Sequence, residues 1–178
     1  HEVPHARCGK LIVTDEGEGM AELERLLALG TANGVPGLTL VDAAFVARRE
    51  PHVRASAALF SPSTGVVDAE ALVRTLVRLI TEYGGFVLPG SALLGAASAA
   101  GGLELQTPSE RITARCVVNA AGLYADDVSR LLGGASFTIH PCRGEYAELI
   151  ASRLPLVNAL VYPVPHALLG QKVRVQWD

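Results

Sequence analysis

Hydrophobic and polar positions along the chain follow two periods, and each change of period marks an element. KLIVT at 10–14 is a β-branched run that predicts a strand. In MAELERLLALGTANG the positions Leu23, Leu26, Leu27 and Gly30 share one helical face, and Gly34 ends the helix. TLVD at 39–42 predicts a brief strand whose Asp42 caps a helix over AAFVARRE. Pro51 stops that helix, because its ring cannot continue it. ALFSPSTGVVD reads as strand, turn and cap. The clearest helix is DAEALVRTLVRLITEYGG, with Asp68 as N-cap and Leu72, Leu76, Leu79, Ile80 and Tyr83 as its expected buried stripe before Gly84.

In the second half the periods shorten. FVL at 86–88 is an expected strand, and SALLGAAS, GLELQT and RITA have the spacing of a small antiparallel meander. Composition makes the Ala- and Gly-rich stretch at 95–102 a loop tip. In CVVNAAG, Val117 and Val118 suit a strand buried on both faces that runs into Gly122. A helix is expected over LYADDVSRLLGG, closed by Gly133 and Gly134. FTIHPCRGEYAELI and ALVYPVP read as strands that Pro141 and Pro163 restrict to edges or bends. QKVRVQWD alternates like a strand, and no internal repeat is present.

Composition narrows the class. The 178 residues are 49% hydrophobic and 19% charged, enough for one globular core or parts of two. A net charge of -3 with scattered Lys and Arg argues against nucleic acid as a partner. The apolar runs are too short for a transmembrane segment. Cys8, Cys116 and Cys142 are odd in number and widely spaced, which suggests neither a disulfide framework nor a zinc site and fits a reducing cytoplasm. The chain starts at His1, and its only Met is Met20, so a piece of a longer protein is the expectation.

Several motifs offer chemistry and fail on detail. His1-Glu2-Val3-Pro4-His5 has HExxH spacing, but a proline inside the required helix costs about 3 kcal/mol, and no metal site is expected. In LIVTDEGEGMAELERLL the glycines are interleaved with Asp15, Glu16 and Glu18, and Glu22 stands where a third glycine belongs, so a pyrophosphate would meet negative charge. GSALLGAA has P-loop glycine spacing but Ala96 and Ala97 in place of Lys and Ser or Thr. CVVNAAGLYADD is different. Its small Ala120, Ala121 and Gly122 allow either close approach of a ligand to the backbone or tight strand-to-helix packing.

The order of PSTGVVD, GGFVLPGSALL, CVVNAAGLYADDV, PCRGEY and VYPVP resembles the D-amino-acid-oxidase-type (DAO) family of FAD-dependent oxidoreductases. CRGEY with VYPVP is most similar to its L-2-hydroxyglutarate dehydrogenase/oxidase branch. The resemblance runs from about Cys8 to His166 and implies an α/β (α+β) fold. Part of a Rossmann-like FAD-binding domain with a β-meander would interleave with an antiparallel substrate-binding sheet. The expected division is 1–66 substrate portion, 67–135 FAD-binding portion and 136–178 substrate portion with an atypical tail. The family's GxGxxG turn would lie upstream of this chain, making it a central fragment.

Carried over residue by residue, the resemblance gives Leu93, Asn119, Ala120, Ala121 and Gly122 to FAD, and Arg143, Tyr146 and Tyr162 to the substrate. The activity it implies is flavin-dependent oxidation of a small-molecule L-2-hydroxy acid by hydride transfer to FAD. The electron acceptor would be oxygen or quinone, and the location cytoplasmic or peripheral at a membrane. An arginine suits such a substrate, because a guanidinium can grip both oxygens of a carboxylate. The alternatives are an amine or amino-acid oxidase of the same fold, or a non-catalytic fragment without stable cofactor. No catalytic residue is assigned, since Lys172 stands near where the family places a histidine.

Overall fold

The computed structural model describes residues 3–15, 17–147 and 156–165. The run expected as a strand at 10–14 is one, and it is paired on both sides. In chain order the first elements are β1 (His5–Ala6), β2 (Lys10–Thr14), α1 (Gly17–Ala32), β3 (Thr39–Asp42), α2 (Ala43–Arg49), β4 (Ala57–Ser61), β5 (Val66–Val67) and α3 (Ala69–Glu82). There follow β6 (Gly95–Ala99), β7 (Gly102–Gln106), β8 (Arg111–Ala114), a 3-10 turn at Gly122–Tyr124, α4 (Ala125–Leu131) and β9 (Leu160–Pro163). The chain divides into two compact units, residues 1–79 with 148–178, and residues 80–147.

In the first unit a four-stranded sheet has the order β3-β4-β2-β9. β2 runs antiparallel to β4, with Leu11 opposite Phe60, and parallel to β9, with Leu11 opposite Val161. Alternation sends Leu11 and Val13 to one face, where they meet Phe45 and Val46 of α2 and Ala58 and Phe60 of β4. Leu11, Val46 and Ala58 are wholly buried there. Thr14 points to the opposite face, where α1 lies so close that a Cβ on Gly19 would overlap its side chain. Leu23 of α1 is fully buried, and Gly30 makes room for Leu38. Gly19 is therefore a packing glycine, which explains the second glycine of DEGEG without a phosphate.

Both caps form as expected. Phe45 N donates to Asp42 Oδ1 at 2.8 Å, and Ala71 N to Asp68 Oδ1 at 2.9 Å. Pro163 occupies the last position of the outermost strand. Leu160 N donates to Gly9 O and Val164 N to Val13 O, both at 3.1 Å, so the even-numbered amides face β2 and the proline takes an outward position.

The second unit carries the meander β6-β7-β8, antiparallel throughout. Residues 95–99 are strand, not loop tip; only the turn at Ala100–Gly101 reverses the chain, with Gly101 at φ 86°. Glycine is required where β7 begins, because a Cβ on Gly102 would strike the Ala114 carbonyl of β8.

Four other expectations fail, and the three that concern strands share one physical reason. The stripe of α3 is not buried: Leu72, Leu76, Ile80 and Tyr83 are 37–88% exposed. Residues 86–88 form no strand, and Phe86 is 74% exposed. Residues 116–121 form none either, with Val118 at 84%. Among the described residues 136–147 no strand forms, while the rest of that expected segment and QKVRVQWD lie outside the described residues. A strand exists only when a neighbour satisfies its backbone, and none of the described strands pairs with these segments.

This contrast is measurable. Leu11→Ala is expected to destabilise the first unit by about 2–5 kcal/mol, the cost of an unfilled core position. Leu76→Ala is expected to change the stability of the chain by less than about 0.5 kcal/mol, the ordinary result for an exposed site. Urea unfolding of the two variants checks both; equal losses would show that α3 is covered in solution.

Candidate functional site

The segment 116–125 owes its shape to one side chain. Asn119 Oδ1 accepts from Ala121 N at 3.2 Å, and its Nδ2 donates to the Ala125 carbonyl at 2.7 Å. An asparagine can bond the backbone two residues on and still present a donor, so it closes the corner locally. Tyr124 N then donates to Ala121 O at 3.1 Å, which starts the 3-10 turn. Gly122 sits at φ 57°, left-handed backbone that favours glycine, and nothing lies within 4 Å of where its Cβ would be. The corner is open.

Beside it is a cavity of about 250 Å³ within the second unit. Leu93, Asn119, Ala120 and Ala121 line it, so four of the five residues expected at the cofactor share one wall, and Gly122 follows directly in the chain. Leu88, Leu105, Ile112, Val117 and Val128 make the rest mainly apolar. Ser91 and Thr107 are lining residues that the sequence reading missed. Thr107 Oγ1 is spent on Glu110 O at 2.9 Å and also accepts from Glu110 N at 3.1 Å, whereas the Ser91 hydroxyl makes no hydrogen bond among the described residues. The available signal for Ser91 was its place just after GGFVLPG.

Leaving the cavity, the chain is stapled across α4. Ser129 Oγ donates to Ala135 O at 2.7 Å, and Asp126 Oδ2 accepts from Ile139 N at 3.1 Å. The bond from Ile139 holds the Asp126 carboxyl below the usual carboxylate range, with further help from the Asp127 amide. Arg143 and Tyr146 follow in the same unit, both exposed, and Tyr146 is 99% accessible with its ring over Gly144. No ion pair holds Arg143 among the described residues. Tyr162 belongs to the first unit, opposite Ile12 on β9, and is 52% exposed.

The other motifs resolve into structure. His5 lies in β1, not in a helix, and its ring bonds the Val3 carbonyl at 2.8 Å. Glu22 pairs with Arg25 at 2.7 Å, and the hydrogen bond from that guanidinium lowers its pKa. A carboxylate that sequence reading passed over is Glu50, which is fully buried. Its only sequence signal is a charged residue at a helix end before Pro51.

A helix-flanked sheet in one unit, and a meander with an open glycine corner in the other, are the elements that the resemblance implied. The family model described as FAD dependent oxidoreductase (DAO) matches residues 1–175, and the chain belongs to that family of FAD-dependent oxidoreductases. Within it, the chain is 34% identical to the mitochondrial L-2-hydroxyglutarate dehydrogenase of Homo sapiens over 92% of its length. That alignment takes in 38% of the relative. Against the L-2-hydroxyglutarate dehydrogenase of Escherichia coli it is 27% identical over 92% of its length, 39% of the relative. The chain thus spans about two-fifths of the curated relatives it matches.

Among solved structures, the L-α-glycerophosphate oxidase of Mycoplasma pneumoniae with FAD bound superposes with TM-score 0.73 at 19% identity. It covers 92% of this chain and 44% of that one. The L-proline dehydrogenase of P. horikoshii gives TM-score 0.73 at 17% identity, covering 90% and 44%. These likenesses show a mixed α/β fold. No helix among the described residues is long and apolar enough to cross a membrane.

The residues present fit one end of FAD. An apolar cavity wall with small residues suits a flat ring system, whereas its lining includes no Lys, Arg or His to meet a pyrophosphate.

Acid tests the staple at Asp126. Because its folded pKa is depressed, the stability it contributes is fully present above the unfolded Asp value, near 4, and is lost as pH falls through the lower folded value. Hydrogen exchange should therefore show the Ile139 amide losing protection below about pH 4, and Asp126→Ala losing it at every pH. Protection that does not change across this range would remove the staple.

Proposed function

We propose that the protein carrying this chain oxidises an L-2-hydroxy acid, with L-2-hydroxyglutarate as first candidate, passing hydride from C2 to FAD. What supports this reading is the 34% identity to an L-2-hydroxyglutarate dehydrogenase, which extends over 92% of the chain. FAD, when bound, supplies the two-electron chemistry that amino-acid side chains lack. The chain's own residues bind and orient.

In this reading residues 67–135 serve the cofactor, and 1–66 and 136–178 serve the substrate. The wall formed by Leu93, Asn119, Ala120 and Ala121 takes the adenosine end, with Gly122 leaving the backbone accessible and the Ser91 hydroxyl available as a donor. Asn119 contributes by holding the corner, since both ends of its amide are already engaged. Arg143 grips a substrate carboxylate through two parallel hydrogen bonds, for which its guanidinium, without an ion pair among the described residues, is suited. Tyr146 and Tyr162 offer phenol donors that select hydroxy acid over hydrocarbon. A cytoplasmic location is part of the same proposal, although the human relative is named mitochondrial.

Anaerobic titration of the FAD-loaded protein is the test. L-2-hydroxyglutarate should bleach the flavin absorbance. A flavin that stays oxidised with every 2-hydroxy acid and bleaches with glycine, sarcosine or D-amino acids would move the protein to the amine oxidases of this fold. Arg143→Met is expected to raise KM for the hydroxy acid about 30–150-fold, the loss of roughly 2–3 kcal/mol in charged hydrogen bonds. A KM unchanged by that substitution would remove Arg143 from the substrate.

A further inference from the structure

Glu50 ends α2 and precedes Pro51, a place where a charged residue ordinarily reaches into water. Here it is 0% exposed. Its backbone is engaged, with its N–H donating to Val46 O at 2.8 Å and its carbonyl accepting from Val53 N at 3.0 Å. Its carboxylate turns to the far end of the chain. Oε2 accepts from Asn158 N at 2.7 Å and from Asn158 Nδ2 at 3.4 Å, and Oε1 accepts from Ala159 N at 2.8 Å. Asn158 Nδ2 also donates to the Arg49 carbonyl at 3.2 Å.

No Lys or Arg pairs with this carboxylate among the described residues. Burying an ionised group without a cation is costly, and backbone amides are the compensation present. Those amides are not arbitrary: they are the residues immediately before β9, and the next amide, Leu160 N, opens the ladder to Gly9 O at 3.1 Å. The ladder is short, since β9 pairs only with β2 among the described strands and ends in Pro163. A slip of a single residue would turn Tyr162 from the Ile12 face of the sheet to the Leu11 face.

We propose that Glu50 is a positioning residue: its buried carboxylate fixes where β9 begins, and so on which face of the sheet Tyr162 stands. The consequence for substrate rests on the proposed role of Tyr162, while the effect on register does not.

The experiment uses the FAD-bound protein and two levels of readout. In Glu50→Gln one acceptor oxygen becomes an NH₂ group facing an amide donor. Hydrogen exchange of the Asn158, Ala159, Leu160 and Tyr162 amides is expected to quicken about 10-fold or more, with β4 and β3 amides and flavin content unchanged. Unaltered exchange at these amides would overturn the proposal, and uniform quickening across the sheet would reduce Glu50 to general stability. Asn158→Ala, which removes the side-chain bonds and keeps the backbone amides, should give a smaller effect in the same direction and serves if Glu50→Gln does not fold.

At the second level, Glu50→Gln should raise KM for L-2-hydroxyglutarate about 10-fold with kcat within about 2-fold, and Tyr162→Phe in the same background should add little. Additive effects would break the link from Glu50 to Tyr162. If Tyr162→Phe alone leaves KM unchanged while the exchange result holds, the substrate role of Tyr162 fails and the register role of Glu50 stands.

Discussion

The parallel ladder between β2 and β9 is the constraint on which the first unit depends. It joins positions 10–13 to positions 160–163, so forming it closes a long loop, and the entropy of that closure is met before the contacts compensate. Four residue pairs on one strand edge are little to set against this cost. The added grip comes from the end of α2, where Arg49 and Glu50 bind Asn158 and Ala159. Arg49 also reaches the Cys8 carbonyl at 3.0 Å and lies over the Phe60 ring at 4.8 Å, so one helix end fastens both strands of the parallel pair where they enter the sheet.

The second unit solves a different problem by opposite means. Its corner at Asn119–Gly122 is held by neutral hydrogen bonds within a few residues, and the side chains there are as small as they can be. An asparagine whose acceptor and donor are both spent on its own backbone offers shape to a ligand, not charge. In the proposed reading, charge for the substrate then comes from Arg143, and charge for the phosphates from residues outside the cavity lining.

How much of this was legible follows from how local each feature is. The caps at Asp42 and Asp68, the stops at Gly34 and Pro51, and the meander all rest on interactions spanning a few residues, and they form as read. That Leu93 and Asn119–Ala121 line one cavity was legible through motif order, which grouped them across the meander between them. Strands at 86–88 and 116–119 were misread because alternation and β-propensity describe a side chain's preference, whereas a strand is a relation to a neighbour. Glu50 was illegible for the same reason. A glutamate beside a proline looks solvated until a segment more than one hundred residues later covers it.

The misread segments bear on the site itself. Leu88, Val117 and Val118 are apolar, form no strand, and line the cavity beside the glycine corner. Without a backbone ladder these positions rely on side-chain packing and on the Asn119 corner, and at 84% exposure Val118 has little of the former. A ring system seated there would bury these side chains, each worth about 1.5–3 kcal/mol when taken from full exposure to full burial, and would thereby order the wall around it. In the proposed reading, cofactor affinity at this end would then be inseparable from the folding of residues 86–93 and 116–122. A substitution in the corner, even one remote from any ligand atom, acts on binding by changing how much of that ordering is already complete.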